Sequence, residues 1–332
     1  MRLIFVAITR ARHKLFITTP NKVSKKSEDL TILPHLGDIP VREIETNSDP
    51  AEKLEIAWNS EYVKVTNDLK TLLAPRLANY KLNATAVNNF TNLEYAGPEQ
   101  FLLNNLLRFP SAKSPAADYG TAIHETMKFV HNYFNKNSKK PSDKEVVSVF
   151  DESLRSMHML KTDYSYYLAK GKSALPNFIN RTEFNKNQQV EQVFDAKIDE
   201  MNLTGKMDLI EIDEKAKTIT VFDYKTGDGF EKFNSGKIKT HNYYQQLMFY
   251  KLLIDNANNR PGYHVNRGVL HFVEADKEPF EIEMNYDDAE LKEFKKLLGK
   301  IWNHIMELEF PDVSDYPKSL KGTREFEEFM VK

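Results

Sequence analysis

The residues able to do chemistry fall in one short stretch. Gly205-Lys206-Met207-Asp208 is followed by Asp223-Tyr224-Lys225-Thr226-Gly227, and both runs sit in β-rich sequence. Leu203 to Ile212 and Thr218 to Lys225 read as strands, with the charged run Asp213 to Lys217 as the turn between them. A hairpin symmetric about Lys215 and Ala216 sets Asp208 directly opposite Asp223. Cross-strand partners have Cβ atoms about 4.5–5.5 Å apart. Asp223 and Lys225 alternate with Tyr224 and so share a face. Two carboxylates that close repel unless a cation or a proton lies between them. Hard oxygen ligands favour Mg²⁺, Mn²⁺ or Ca²⁺. A lysine beside such an ion can orient a water or stabilise charge developing on a phosphate. The competing reading is a solvated hairpin with cross-strand ion pairs, and the hairpin alone does not separate the two.

The elements that must position these residues are legible on either side. Asp118 to Asn135 reads as an amphipathic helix carrying Gly120 and His124, with Gly120 permitting close approach near its start. Ser142 to Met159 reads as another, with Ser142 as its cap. Beyond Val190 the period becomes that of strands: Gln192 to Ile198, then the hairpin. Thr240 to Asp255 is helical and sets Gln246 and Tyr250 on one face at i, i+4. Arg267 to Glu274 and Pro279 to Tyr286 read as strands, and Asp287 to Glu309 as a long helix. Upstream, Ala51 to Leu73 reads as a helix ended by Pro75, and a helix is expected near Glu99 to Arg108. The expected fold is α/β, a mixed central sheet flanked by helices.

The 332 residues suffice for one large domain or two ordinary ones. No apolar run approaches the roughly 20 residues that span a bilayer, so no membrane partner is expected. Cysteine is absent, which excludes disulfides, thiolate zinc sites and cysteine-ligated iron–sulfur clusters and agrees with a cytoplasmic setting. The net charge of −2 means that any nucleic-acid surface must be a local patch.

Taken together, Gly120 and His124, the upstream acid Glu191, Gly205 with Asp208, Asp223 to Gly227, and Gln246 with Tyr250 resemble the PD-(D/E)XK nuclease superfamily, in its RecB-like branch. The match covers about Ala84 to Glu309, and all five signals occur in order. The resemblance implies a restriction-endonuclease-like core and metal-assisted hydrolysis of a DNA phosphodiester. It implies Mg²⁺ or Mn²⁺ held by His124, Asp208, Asp223 and the backbone carbonyl of Tyr224. Lys225 would position or activate the attacking water, with Glu191 as a further acid. Gln246 and Tyr250 would support the site and the DNA backbone. The expected substrate is DNA with an end or a single strand, and exonuclease action is the expectation. Some RecB-like nucleases carry four cysteines around an iron–sulfur cluster; this chain has none, so packing around Phe101, Leu102 and the C-terminal tail must close the domain instead.

A second resemblance lies at the N-terminus. Arg2 to Ala11 is similar to the last helicase motif of UvrD-type superfamily 1 enzymes, in which the arginine matching Arg10 reaches an ATP γ-phosphate. Gly171-Lys172-Ser173 lacks the preceding glycine of a phosphate loop, because Tyr166 stands in its place. ATP is therefore expected only in a parent helicase. The expected organisation is residues 1–20 as the remnant of a helicase motor, 21–83 as linker and connecting helix, 84–310 as the nuclease domain and 311–332 as a polar tail. The resemblance further implies a helicase–nuclease of recombination and double-strand break repair, with a missing motor domain and a possible partner subunit. The alternative is a nuclease-like DNA-binding or scaffold module without catalysis.

Overall fold

The turn between the two aspartates is built by its own first residue. Asp213 Oδ1 accepts the backbone N–H groups of Lys215 and Ala216, at 2.9 and 3.0 Å. This Asx-type turn ends at Lys217, whose φ is +56°. The computed structural model describes residues 69–109, 114–233, 236–276 and 278–332. The remnant and most of the linker, including Arg10, lie outside the described residues.

In chain order the described elements are α1 (Leu69–Leu77), α2 (Ala84–Thr91), α3 (Pro98–Phe101, continued by a π-helical turn Leu102–Leu106), α4 (Pro115–Asn137), α5 (Asp143–Ser156) and α6 (Lys161–Arg181). There follow β1 (Gln188–Ile198), β2 (Met201–Asp213), β3 (Thr218–Lys225), α7 (Ile238–Asp255), β4 (His264–Phe272), β5 (Glu281–Met284), α8 (Asp288–Glu307) and α9 (Leu320–Val331). The sheet order is β1-β2-β3-β4-β5. Only β3 and β4 are parallel among these neighbours, and α7 is the crossover between them. This is the mixed α/β sheet expected from the sequence.

Each face of the sheet carries its own core. On one side Leu247, Leu253, Leu298 and Ile301 of α7 and α8 pack with Val221 and Leu270. On the other, Ile123, Met127, Phe150 and Phe178 of α4, α5 and α6 pack with Leu209 and Tyr224. Consecutive residues of β3 therefore serve opposite cores: Tyr224 faces the helical layer of α4 and α6, while Asp223 and Lys225 meet α7.

Four local readings change. The helix expected to end at Pro75 continues through it to Leu77, because Leu73 and Leu77 are anchored in the core. Lys161 to Arg181, which carries no reading as an element, is a helix that tolerates Gly171 and Pro176 in its interior. The segment read as a polar tail contains α9, with Thr323, Phe326 and Met330 buried. A Cβ built at Gly120 would meet nothing within 4 Å, so no close approach requires that glycine. At Gly205 it would stand 2.8 Å from Leu253 Cδ2, and there the missing side chain does let α7 lie on β2.

Candidate active site

The β2–β3 ladder stops where the carboxylates begin. Its last pair toward the site is Leu209 with Phe222. The same register carried one step further sets Asp208 opposite Asp223, as the hairpin symmetry predicts. In place of a ladder bond, the backbone N–H of Tyr224 donates to Asp208 Oδ2 at 3.2 Å. Asp208 Oδ1 lies 3.1 Å from His124 Nδ1 of α4. A single carboxylate thus ties a helix to the end of β3.

Asp223 is 3% exposed. Its Oδ1 accepts from Gln246 Nε2 at 2.9 Å and from the Tyr250 hydroxyl at 3.4 Å. Its Oδ2 is buried and forms an ion pair with the Lys225 ammonium, 2.5 Å away. The ammonium also donates to Gln246 Oε1, at 2.7 Å. Gln246 also donates to Tyr250 at 2.7 Å, so the i, i+4 pair on α7 forms one bonded unit with Asp223 and Lys225. Lys225 further sits over the ring of Tyr243, 4.2 Å from its centroid.

Burial raises the Asp223 carboxyl above the ordinary aspartate range. The charge of Asp208 adds to that, while Lys225 and His124 oppose it. For His124, burial works to lower the imidazole, but the hydrogen bond and charge of Asp208 outweigh it and leave it raised. Both shifts describe one fact: the site concentrates negative charge in a poorly hydrated place.

Among the described residues no three His, Asp or Glu side chains stand grouped as a ready-made metal cage. The donor chemistry nevertheless fits a hard divalent ion. Asp208, paired with the His124 imidazole, and Asp223, whose buried Oδ2 is ion-paired with Lys225 and keeps a lone pair for such an ion, supply two carboxylates and an imidazole nitrogen.

Glu191 stands apart from this group. It is the β1 residue that would face Asp208, but its φ of +52° takes it out of the ladder, which passes from Val190–Leu209 to Gln192–Met207. Its Oε1 pairs with Lys206 at 2.7 Å and its Oε2 with Lys128 at 2.5 Å. Hydrogen bonds from Lys128, then Lys206, hold its carboxyl below the usual glutamate range. Gly227 closes the motif with φ +100° in the turn after β3.

Two neighbours escaped the sequence reading. Tyr243 shares the α7 face with Gln246 and Tyr250 at helical spacing, a signal open to inspection. His131 lies two turns beyond His124 on α4, and its Nε2 is joined to the Tyr224 hydroxyl by a buried 2.6 Å hydrogen bond. Burial, and then the neighbouring His271, lowers the His131 imidazole to about 3, so it is neutral.

A family model described as the PD-(D/E)XK nuclease superfamily matches residues 84–317. The chain belongs to that superfamily. A solved structure described as a "putative exonuclease" from Eubacterium rectale is 12% identical, with a TM-score of 0.48 over 74% of this chain and 89% of that one. A second, described as SSO0001, is 10% identical, with a TM-score of 0.27 over 81% of this chain and 93% of that one. No curated protein matches the chain. The PD-(D/E)XK assignment gives the five-stranded mixed sheet its family context and makes the Asp208, Asp223 and Lys225 group the natural candidate for its site.

Proposed function

We propose that the chain is a divalent-metal-dependent DNA nuclease of the RecB-like kind. The observation that carries this reading is the Asp223–Lys225 ion pair: a buried carboxylate 2.5 Å from an ammonium, next to the Asp208–His124 pair. His124, Asp208, Asp223 and the Tyr224 carbonyl would hold Mg²⁺ or Mn²⁺, which would neutralise the scissile phosphate and lower the pKa of a bound water. Lys225, fixed by Gln246 and the Tyr243 ring, would orient an attacking water and donate to the developing phosphate charge. Gln246 and Tyr250 hold Asp223 in register. Glu191 acts through the lysines it binds, which fits a supporting role better than that of a direct ligand.

The natural substrate on this reading is a DNA end or single strand, cut as an exonuclease. What supports a helicase–nuclease parent, working in recombination and double-strand break repair beside a motor and a partner subunit, is the Arg2–Ala11 motif.

End-labelled single- and double-stranded DNA, linear and circular, is to be incubated with Mg²⁺, Mn²⁺ or EDTA. Metal-dependent cleavage is expected to fall by about 10²–10⁴-fold in Lys225→Ala and to vanish in Asp223→Ala, with DNA binding retained. A folded wild type that binds DNA but cuts nothing with either metal would instead support the scaffold reading.

A further inference from the structure

A second lysine shares the aromatic ring that supports Lys225. Lys239, in the first turn of α7, has its ammonium 5.7 Å from the centroid of Tyr243, while Lys225 lies 4.2 Å from the same centroid. The two charges are thus within about 10 Å of each other whatever their directions, since the separation cannot exceed the two distances combined. Lys225 is neutralised by Asp223. Among the described residues no carboxylate forms an ion pair with Lys239; beside it lie the Tyr243 ring and Gly227, where a built Cβ would stand 3.7 Å from the ammonium.

Gly227 is the end of the Asp223–Gly227 motif, so this cation borders the turn that leaves the site. The surrounding backbone adds positive character. The α7 helix starts without a side-chain cap and without an acidic residue in its first turn. Lys239 is exposed, with its ammonium held beside a half-buried tyrosine next to Lys225, where an approaching anion can reach it.

We propose that Lys239 and Tyr243 form a phosphate-binding station for the DNA strand, next to the scissile phosphate. Lys239 donates to non-bridging oxygens of a flanking phosphodiester. Tyr243 acts as a positioning residue whose ring holds Lys239 and Lys225 at fixed distances from each other. This deepens the nuclease reading and rests on it for the identity of the strand.

The test separates binding from cleavage. Affinity for a short single-stranded oligonucleotide is measured in EDTA across a range of salt concentrations, for wild type, Lys239→Gln, Lys239→Arg and the distant control Lys172→Gln. Lys239→Gln is expected to weaken binding about tenfold at low salt and to flatten the log affinity against log salt slope by roughly 0.7, the loss of one phosphate contact. Lys239→Arg should restore both quantities, and Lys172→Gln should change neither. Cleavage at saturating DNA with Mn²⁺ should fall in Tyr243→Leu, whose missing ring frees Lys225 as well as Lys239. A Lys239→Gln slope equal to that of wild type would overturn the proposal. If wild type binds DNA but never cleaves, the nuclease reading fails while the salt slope still decides whether Lys239 contacts phosphate.

Discussion

At the scale of single residues, Tyr224 does more than separate Asp223 from Lys225. Its N–H holds Asp208, and its hydroxyl meets His131 of α4 in the opposite core. Because α4 also carries His124, this one side chain fixes the distance between the helix and the strand end that share the candidate metal ligands. Tyr224→Phe would leave the His131 nitrogen buried without its partner and should cost about 1–3 kcal/mol. His131 also predicts a pH dependence. Its folded pKa of about 3 lies below the unfolded value of about 6.5. The unfolded chain therefore binds the extra proton, and the stabilising contribution is full above pH 6.5 and declines as the pH falls toward 3. The slope from this group is about 1.4 kcal/mol per pH unit. Denaturant titrations at pH 7, 5 and 4 should show that slope reduced in His131→Gln; equal slopes would remove His131 as its source.

At the scale of elements, α6 shows how tightly the helical layer is fitted. Gly171, part of the run that superficially looks like a phosphate loop, lies mid-helix against Phe150. A Cβ there would come within 2.3 Å of the ring, and Phe150 is fully buried. Gly171→Ala should therefore destabilise the fold by about 1–3 kcal/mol despite its better helix propensity, measurable as a lower denaturant midpoint. Such a contact is invisible in sequence, where Gly171 and Pro176 argue against a helix at all. What was legible had strong local chemistry: the charged run Asp213 to Lys217 as the hairpin turn, Ser142 capping α5, and Asp287 capping α8. The pairing of the two aspartates followed from that turn. The position of Glu191 did not, because its departure from the ladder depends on lysines from β2 and α4.

For the molecule as a whole, the closing role expected of the segment around Phe101 falls to an aromatic cluster. Phe90 of α2 lies 5.5 Å from Phe101, 6.4 Å from Phe310 and 6.4 Å from Phe326 of α9, centroid to centroid. α9 is further bound to α7 through Glu327, which accepts from Gln245 Nε2 at 2.8 Å and pairs with His241 at 3.0 Å. The helix that presents Gln246 and Tyr250 is thereby braced from behind. Phe326→Ala should cost about 3–5 kcal/mol. Thermal unfolding monitored by circular dichroism should show the loss, and an unchanged midpoint would mean that α9 merely decorates the fold.

The order in which the chain supplies its parts has a consequence during synthesis. His124 leaves the ribosome first, on a helix whose apolar face has no sheet to cover it until β2 and β3 follow. Asp208, Asp223 and Lys225 come next, and Gln246 with its brace on α9 last. A nascent or broken chain holds the reactive groups without their alignment. On the proposed function, cutting power arrives only with the finished fold, so that a half-made molecule in the vicinity of the genome is harmless to it.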